Sequence, residues 1–329
     1  MLNKSIENYQ FQKSIFYITI VLFIIKISAW YVTQSISVLT DTLEYSINVI
    51  ASLVGMYSLK LSSKPRDENH PYGHGKVEFL SSTLEGTLMI FTSLIILVEA
   101  IYHLSNRQEL QKLDYGIYLV AFTGLINYFM GTYAIAKGKK NNSLALIASG
   151  KHIISDTYAT IGIVLGLILI YFFKLSWIDS VIAIVFSIII IISGYKILRA
   201  SIAGIMDEAD KTLLTQIISL LDGEKNENWI DLHNFRIIKY GSIMHIDCHL
   251  TVPYYLNVHE AHNEIDKLEK FVKNHFEDNV ELFVHTDGCM DYSCKICTKK
   301  DCPVRKHEFQ QKIEWNLKNV ISNSKHRID

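Results

Sequence analysis

Two apolar stretches of the sequence each carry polar residues at helical spacing. Asp41, Glu44 and Asn48 follow one another at intervals of three and four in the first, and His152 and Asp156 lie four apart in the second. Each series therefore lies on one face of a helix. Carboxylate oxygen, amide oxygen and imidazole nitrogen together suit a first-row divalent ion. The predicted ligands are Glu44, Asn48, His152 and Asp156, with Asp41 one turn away as a direct or water-mediated contact.

Ionisable residues inside apolar spans are costly, so a function is the first hypothesis for them. A buried polar network that only ties helices together is the alternative. A second candidate site lies in the polar segment 67–76, where Asp67, His70 and His74 have the side-chain types and the spacing of metal ligands. A loop with two histidines is also compatible with a merely polar surface.

The C-terminal part of the chain, from residue 207 onward, holds nine of the 13 histidines. Alternation along a predicted strand places His245, Asp247 and His249 on one face and directs Cys248 with apolar neighbours towards a core. His233, His249 and His285 occupy strand positions from which they could converge on an ion. A solvated polar surface without metal is the alternative.

Four of the five cysteines form the pattern C-x4-C-x2-C-x4-C, at Cys289, Cys294, Cys297 and Cys302. An odd total is a poor disulfide framework. Four thiolates in a short loop match a structural zinc site in number, although the spacing is not that of a standard zinc ribbon. An iron-sulfur cluster and a metal-free, redox-sensitive loop remain alternatives.

These candidates are distributed over two regions of different composition. Apolar stretches of about 20 residues, the length that crosses a membrane, occur near 12–32, 38–60, 78–104, 115–137, 144–173 and 178–199. We expect a six-helix membrane bundle over residues 1–206, with its first helix retained because no small-residue cleavage site follows it. Basic residues concentrate in the links near 61–76 and 138–142, which places both termini in the cytoplasm.

The remainder, 207–329, predicts a cytoplasmic α+β domain of ferredoxin-like type, with a cysteine-rich insert at 288–304. The formal net charge of the whole chain is -1, which argues against nucleic-acid binding. Predicted elements are strands Phe235–Lys239, Ile243–Val252 and Val280–His285, a helix Val258–Phe276 and a last helix Glu308–Ile321.

The chain resembles the cation diffusion facilitator family over nearly its whole length. The string Asn69–Lys76, the polar face upstream of it, His152-x3-Asp156 and a tail domain after Met206-Asp207-Glu208 carry the resemblance. The resemblance implies a transport site at Glu44, Asn48, His152 and Asp156, and a loop site at Asp67, His70 and His74. It further implies a cytoplasmic site at a dimer interface, drawing on His233, His249, His262, His285 and Asp287, and an interlock between Lys76 and Asp207.

Two positions depart from the usual family pattern. Members of the family usually carry His or Asp at the place of Glu44 and Asp at the place of Asn48. The amide of Asn48 lacks the negative charge of that carboxylate and binds a cation more weakly. Asp41 could therefore contribute to the same site.

The expected function is efflux of a divalent metal by a homodimer, in exchange for protons and without covalent chemistry. His152 favours zinc, with iron second, while manganese, cobalt, nickel and cadmium stay open. The expected location is the lipid of a bacterial inner membrane, with several spans. A metal-sensing or scaffold membrane protein that moves no ion is the main alternative, and a membrane metalloenzyme is a weaker one.

Overall fold

The computed structural model describes residues 2–33, 36–105, 114–173, 177–241, 243–276 and 280–328. It divides the chain into two compact units, Leu2–Met206 and Asp207–Asp329. Within some helices only the backbone is described. The side chains of Asp41 and Glu44, both predicted metal contacts, lie outside the described part, so their roles stay predictions.

Long helices build the first unit. Three described stretches are long and apolar enough to cross a membrane, Ile6–Ser28, Val77–Tyr102 and Ser187–Ile205, so the count of six spans stays a prediction. The helices are α1 (Leu2–Thr33), α2 (Ile36–Ser62), α3 (Val77–Ser105), α4 (Asp114–Asn141), α5 (Leu144–Phe173) and α6 (Trp177–Ile205).

The first unit buries polar side chains and exposes apolar ones. Glu85 and Ser82 are fully buried, whereas Phe91, Val98 and Phe129 are more than half exposed. A water-soluble bundle would reverse this arrangement, because burying apolar area is what stabilises it. The distribution is that of a bundle whose outer surface meets lipid and whose interior holds the polar groups.

The second unit is a mixed sheet with helices. Strand β1 pairs antiparallel with β2, and β2 pairs parallel with β3 in the order β1-β2-β3. The described sheet therefore has three strands, one fewer than a complete ferredoxin-like fold. The elements are α7 (Lys211–Gly223), β1 (Asp231–Tyr240), β2 (Ile243–Val252), α8 (Val258–Phe276), β3 (Val280–Gly288) and α9 (Leu317–Val320).

One apolar core holds this unit together. Ile217 and Leu221 of α7 pack in it with Ile246 of β2 and Leu268 of α8. Cys248 is 1% exposed within the same cluster, and burial raises the pKa of its thiol to about 12. The prediction that Cys248 is a core residue is confirmed.

The prediction of a last helix over Glu308–Ile321 is wrong. Only Leu317–Val320 is helical, and the preceding segment is irregular. The backbone N–H groups of Gln310 and Gln311 donate to the carbonyl of Lys295, outside any helix. Trp315 is buried in the core of the unit, and its backbone N–H donates to Asp222 Oδ1. Tertiary contacts of this segment therefore outweigh its local helical pattern.

Candidate metal centres

The polar residues of α2 and α5 meet inside the bundle. Asn48 Nδ2 donates to Asp156 Oδ2 at 2.7 Å, and Asn48 Oδ1 lies 2.8 Å from His152 Nε2. His152 is 6% exposed, and its Nδ1 is buried with no hydrogen-bond partner among the described residues. The amide of Asn48 thus bridges the two side chains that lie one turn apart on α5. Of these atoms, Asn48 Oδ1, His152 Nε2 and Asp156 Oδ2 are of the kinds that bind a cation.

A cavity of about 20 Å³ adjoins this triplet, lined by Asn48, His152 and Asp156 together with Glu85 and Ser149. A space of that size holds roughly one water-sized particle. The cavity is bounded by both polar and apolar side chains. A single desolvated ion therefore fits the available volume.

The loop between α2 and α3 brings its three predicted ligands together. His74 Nε2 lies 3.3 Å from Asp67 Oδ2, His70 Nδ1 lies 3.1 Å from Asp67 Oδ1, and the two histidine rings are 4.3 Å apart. Gly73 has φ +90°, where a side chain would strain the turn that places His74. Desolvation raises the pKa of Asp67, but hydrogen bonds from His70 outweigh it and lower the pKa below its usual value. An ionised carboxylate between two histidines is a suitable cation site.

Three histidines form a row across the sheet of the second unit. His233 of β1 pairs with His249 of β2, which in turn pairs with His285 of β3. Asp287 Oδ2 lies 3.2 Å from His249 Nδ1 and 3.6 Å from His233 Nε2. His285 contacts the ring of His249 at 4.6 Å and is 66% exposed. His233, His249 and Asp287 are thus close enough to hold one ion.

A β-bulge directs His233 into this row. Simple alternation would place His233 on the same face as Phe235 and Ile237, which are both buried in the apolar core. The register shifts between His233 and Arg236, and Asn234 adopts φ +51°. One extra residue in the strand reverses the side-chain direction. The histidine therefore faces the row while Phe235 stays in the core.

A carboxylate behind His233 connects it to the end of the chain. His233 Nδ1 lies 3.3 Å from Asp231 Oδ2, and Asp231 also accepts hydrogen bonds from the ring and the backbone N–H of His326. Burial opposes ionisation, but these histidine contacts hold the pKa of Asp231 well below its usual range. A carboxylate beside the second ring nitrogen helps to orient a metal-binding histidine. Sequence reasoning missed Asp231 and His326.

Lys325, the residue before His326, contacts Asp287 in the row. Its Nζ lies 3.3 Å from Asp287 Oδ1 and donates to the carbonyl of Gly288 at 3.1 Å. Lys325 also belongs to a segment in which Ser322 accepts from the N–H of Asn234 in the bulge. The segment 322–328 therefore contacts both the bulge and the central carboxylate.

Comparison with known protein families identifies both units. The cation efflux transmembrane domain matches residues 13–206, and the cytoplasmic domain of cation efflux proteins matches residues 210–289. The chain belongs to the cation diffusion facilitator family. It is an integral membrane cation efflux transporter, and its second match, to the dimer-forming cytoplasmic domain, supports a homodimer.

Characterised relatives of this cation diffusion facilitator act on several metals. A Bacillus subtilis cadmium, cobalt and zinc/H(+)-K(+) antiporter is 26% identical, covering 86% of this chain and 91% of the relative. The manganese efflux system protein MneP of the same organism is 25% identical, covering 78% and 88%. The cation-efflux pump FieF of Serratia proteamaculans is 25% identical, covering 82% and 89%.

The cysteine loop begins where the cytoplasmic-domain match ends, at Cys289. Arg305 donates to the carbonyls of Cys294 at 3.0 Å and Cys297 at 3.1 Å, which folds the loop around one guanidinium. Burial raises the pKa of Cys289 and Cys297, and repulsion from the neighbouring thiols adds to the increase. All four are free thiols, and they are not among the described groups whose ligand atoms lie within 4.8 Å. Metal binding by this loop stays a prediction.

Two further predictions about this transporter also stay open. His262 is on α8, exposed, with its Nε2 3.6 Å from Asp266, and within the single chain it does not join the row. The resemblance assigned it to a dimer interface. The interlock of Lys76 and Asp207 joins residues of different units and likewise remains a prediction.

Proposed function

We propose that this cation diffusion facilitator exports zinc from the cytoplasm in exchange for protons, with iron as the second choice. The observation that supports the proposal best is the convergence of Asn48, His152 and Asp156 beside an ion-sized cavity. An imidazole ligand favours zinc, iron or cobalt over the hard ions magnesium and manganese. Relatives named for cadmium, cobalt, zinc and manganese agree with a divalent metal substrate class.

Competition between metal and proton would couple the two movements. A histidine nitrogen must be unprotonated to bind a metal, so the ion and the proton exclude each other at His152. Protonation from the outer side would then release the ion. Alternating access of the bundle to the two sides completes the cycle.

The other sites would supply and regulate this cycle. Asp67, His70 and His74 lie in the link that we place on the cytoplasmic side, at the entrance for metal. The histidine row would bind metal in the cytoplasmic domain, near the interface of a homodimer. We place the protein in a bacterial inner membrane with both termini in the cytoplasm.

Metal uptake by sealed proteoliposomes tests the proposal. Purified full-length protein is reconstituted with a metal-sensitive dye inside, and zinc, iron and manganese are added with and without an imposed pH gradient. We expect zinc uptake that depends on the gradient and is lost in Asp156→Ala. Binding without uptake would favour a metal-sensing protein, and uptake that ignores the gradient would exclude proton exchange.

A further inference from the structure

Glu85 of α3 lines the same cavity as the predicted transport ligands, although no helical spacing connects it to them. The side chain is fully buried. Its Oε1 accepts a hydrogen bond from Ser149 Oγ at 2.7 Å, and Ser149 in turn accepts from Gln12 Nε2 at 3.0 Å. Its Oε2 is buried and has no hydrogen-bond partner among the described residues. One oxygen of this carboxylate is therefore left for another ligand.

A second glutamate on the same helix shows what a purely structural carboxylate looks like. Glu78 is also buried, but Ser62 donates to its Oε1 at 2.8 Å and Ser143 donates to its Oε2. Both oxygens are thus satisfied, and Glu78 does not line the cavity. Buried carboxylates are generally paired or bound to a metal, because an unpaired one is costly. Glu85 differs from Glu78 in having an oxygen to offer.

The surrounding helices leave room for this carboxylate. Gly55 of α2 faces the contact: an added Cβ would lie 2.9 Å from Gln12 Nε2, 3.1 Å from Glu85 Oε1 and 3.2 Å from Ser149 Oγ. Any larger residue would displace these groups. Ser149 precedes His152 by three residues on α5, so the carboxylate lies about one helical turn from the ligand triplet. It lies towards the end of the bundle where the loop 63–76 joins α2 and α3.

Glu85 also changes the number of acidic groups in the cavity. Among the described residues that line it, only Asp156 and Glu85 are acidic, while Asn48 and His152 are neutral ligands. We propose that Glu85 is a further metal-binding carboxylate of the transport cavity, which supplies Oε2 to the divalent ion at or one turn below the triplet. The proposal rests on the transport function proposed above. It adds an anionic oxygen to a set in which residue 48 is an amide.

Glu85→Gln tests the proposal, because it removes the charge and keeps an oxygen that can accept from Ser149. Zinc uptake is measured in the proteoliposome assay as a function of zinc concentration. We expect KM to rise about 10- to 100-fold, the range found when a group supporting a metal site is lost. Glu78→Gln is the matched control, and it should leave KM unchanged. Thermal unfolding of both metal-free variants should resemble that of the wild type.

A double variant tests whether an acidic side chain at another position in the cavity can replace Glu85. Adding Asn48→Asp to Glu85→Gln restores two acidic side chains to the cavity and should recover most of the lost affinity. An unchanged KM in Glu85→Gln, an equal increase in Glu78→Gln, or lower metal-free stability that accounts for the increase would each overturn the proposal.

Failure of the inference and failure of the proposed function are distinguishable. Loss of uptake in Asp156→Ala with no effect of Glu85→Gln would leave the transport function standing and remove Glu85 from the site. If the wild type carries no flux, equilibrium zinc binding to the purified full-length protein gives the answer. Weaker binding of one zinc per chain in Glu85→Gln then supports the inference, and unchanged binding refutes it.

Discussion

The membrane cavity and the histidine row gather similar ligands by different backbone geometry. In the bundle, the four-residue spacing of α5 aligns His152 with Asp156, and Asn48 on α2 joins them. In the sheet, the ligands come from three strands, and the register and a bulge bring them to one level. The helical site is therefore local in sequence on each helix, whereas the sheet site depends on long-range pairing.

The two sites also differ in their contact with water. His152 is 6% exposed and hydrogen-bonded within the bundle, whereas His285 is 66% exposed at the edge of the row. An ion entering the cavity must lose nearly all of its water, while an ion at the row can keep some. We expect selectivity to reside in the cavity and reversible regulation in the row.

The largest expected effect separates the two sites directly. His152→Ala removes a ligand nitrogen from the cavity and should reduce zinc flux in proteoliposomes to background, while zinc binding by the cytoplasmic domain is unchanged. His275→Ala, which removes an exposed histidine at the end of α8, is the control and should transport normally. Wild-type flux in His152→Ala would remove this residue from the transport site.

The reciprocal change should affect only the cytoplasmic domain. The segment 207–329 forms its own core, and a ligand at about 100 times its Kd stabilises a fold by about 2.7 kcal/mol. Zinc should therefore make this segment more compact and more heat-resistant, and His249→Ala with His285→Ala should lose most of that response.

Two controls accompany that measurement of thermal unfolding. His259→Ala with His275→Ala removes two histidines of α8 and should retain the zinc response. The second control changes the four loop cysteines to Ser. If the His249 and His285 variant still responds to zinc and the cysteine variant does not, regulation belongs to the cysteine loop and the histidine site is wrong.

A zinc-filled cysteine loop should protect its thiols. Without metal, the partly exposed Cys289, Cys294 and Cys302 should react with a thiol reagent, and added zinc should block all three, because coordinated thiolates are shielded. Cys248 is buried in the core and should stay unreactive in both states until the protein is denatured. Equal reactivity with and without zinc would show that the loop is metal-free, and visible iron-sulfur absorption would identify a cluster instead.

The smallest expected effect concerns the start of the cytoplasmic domain and should leave both metal sites intact. Asp210 caps α7 by accepting from the N–H of Leu213, and Lys239 Nζ donates to it at 2.7 Å. Asp210→Ala should lower the free energy of unfolding of segment 207–329 by about 1 kcal/mol in denaturant titrations. Asp210→Asn keeps the cap and should lose less, because an exposed ion pair contributes little.

The pH dependence of that effect has a defined sign. Desolvation raises the pKa of Asp210, but the hydrogen bonds from Lys239 and from the backbone N–H of Leu213 outweigh it, so the pKa is lowered in the folded state. The stabilisation is therefore present above the pKa of the unfolded chain and declines as the pH falls through the folded value. A larger loss in Asp210→Asn than in Asp210→Ala would contradict the capping role.

The sequence predicted what depends on local spacing. His152 with Asp156 and Asp67 with its two histidines could be found because helical repeat and loop length bring them together, whereas the family resemblance indicated that Asn48 of α2 joins the α5 pair. Glu85 could not be found this way, since it reaches the cavity only through the packing of α3 against α2 and α5. The signal available in the sequence was an ionisable residue inside an apolar span.

In the cytoplasmic domain, the limits of sequence reasoning follow from the same cause. The bulge at Asn234 reverses the alternation that strand patterns assume, so the predicted strand began too late, at Phe235 rather than Asp231. The segment before Leu317 has a helical pattern, but contacts of Trp315 and Gln310 keep it irregular. Both features arise from residues distant in sequence.

The ammonium group of Lys325 acts as a resident counter-ion for Asp287. A metal ion bound at Asp287 would compete with Lys325 for the same carboxylate, so the ion pair between Lys325 and Asp287 would weaken. If the row binds metal, linkage predicts that its occupancy loosens the segment 322–328, and that attachment of this segment raises the concentration of metal needed to fill the row. We expect the segment 322–328 to set a threshold for filling of the row by metal.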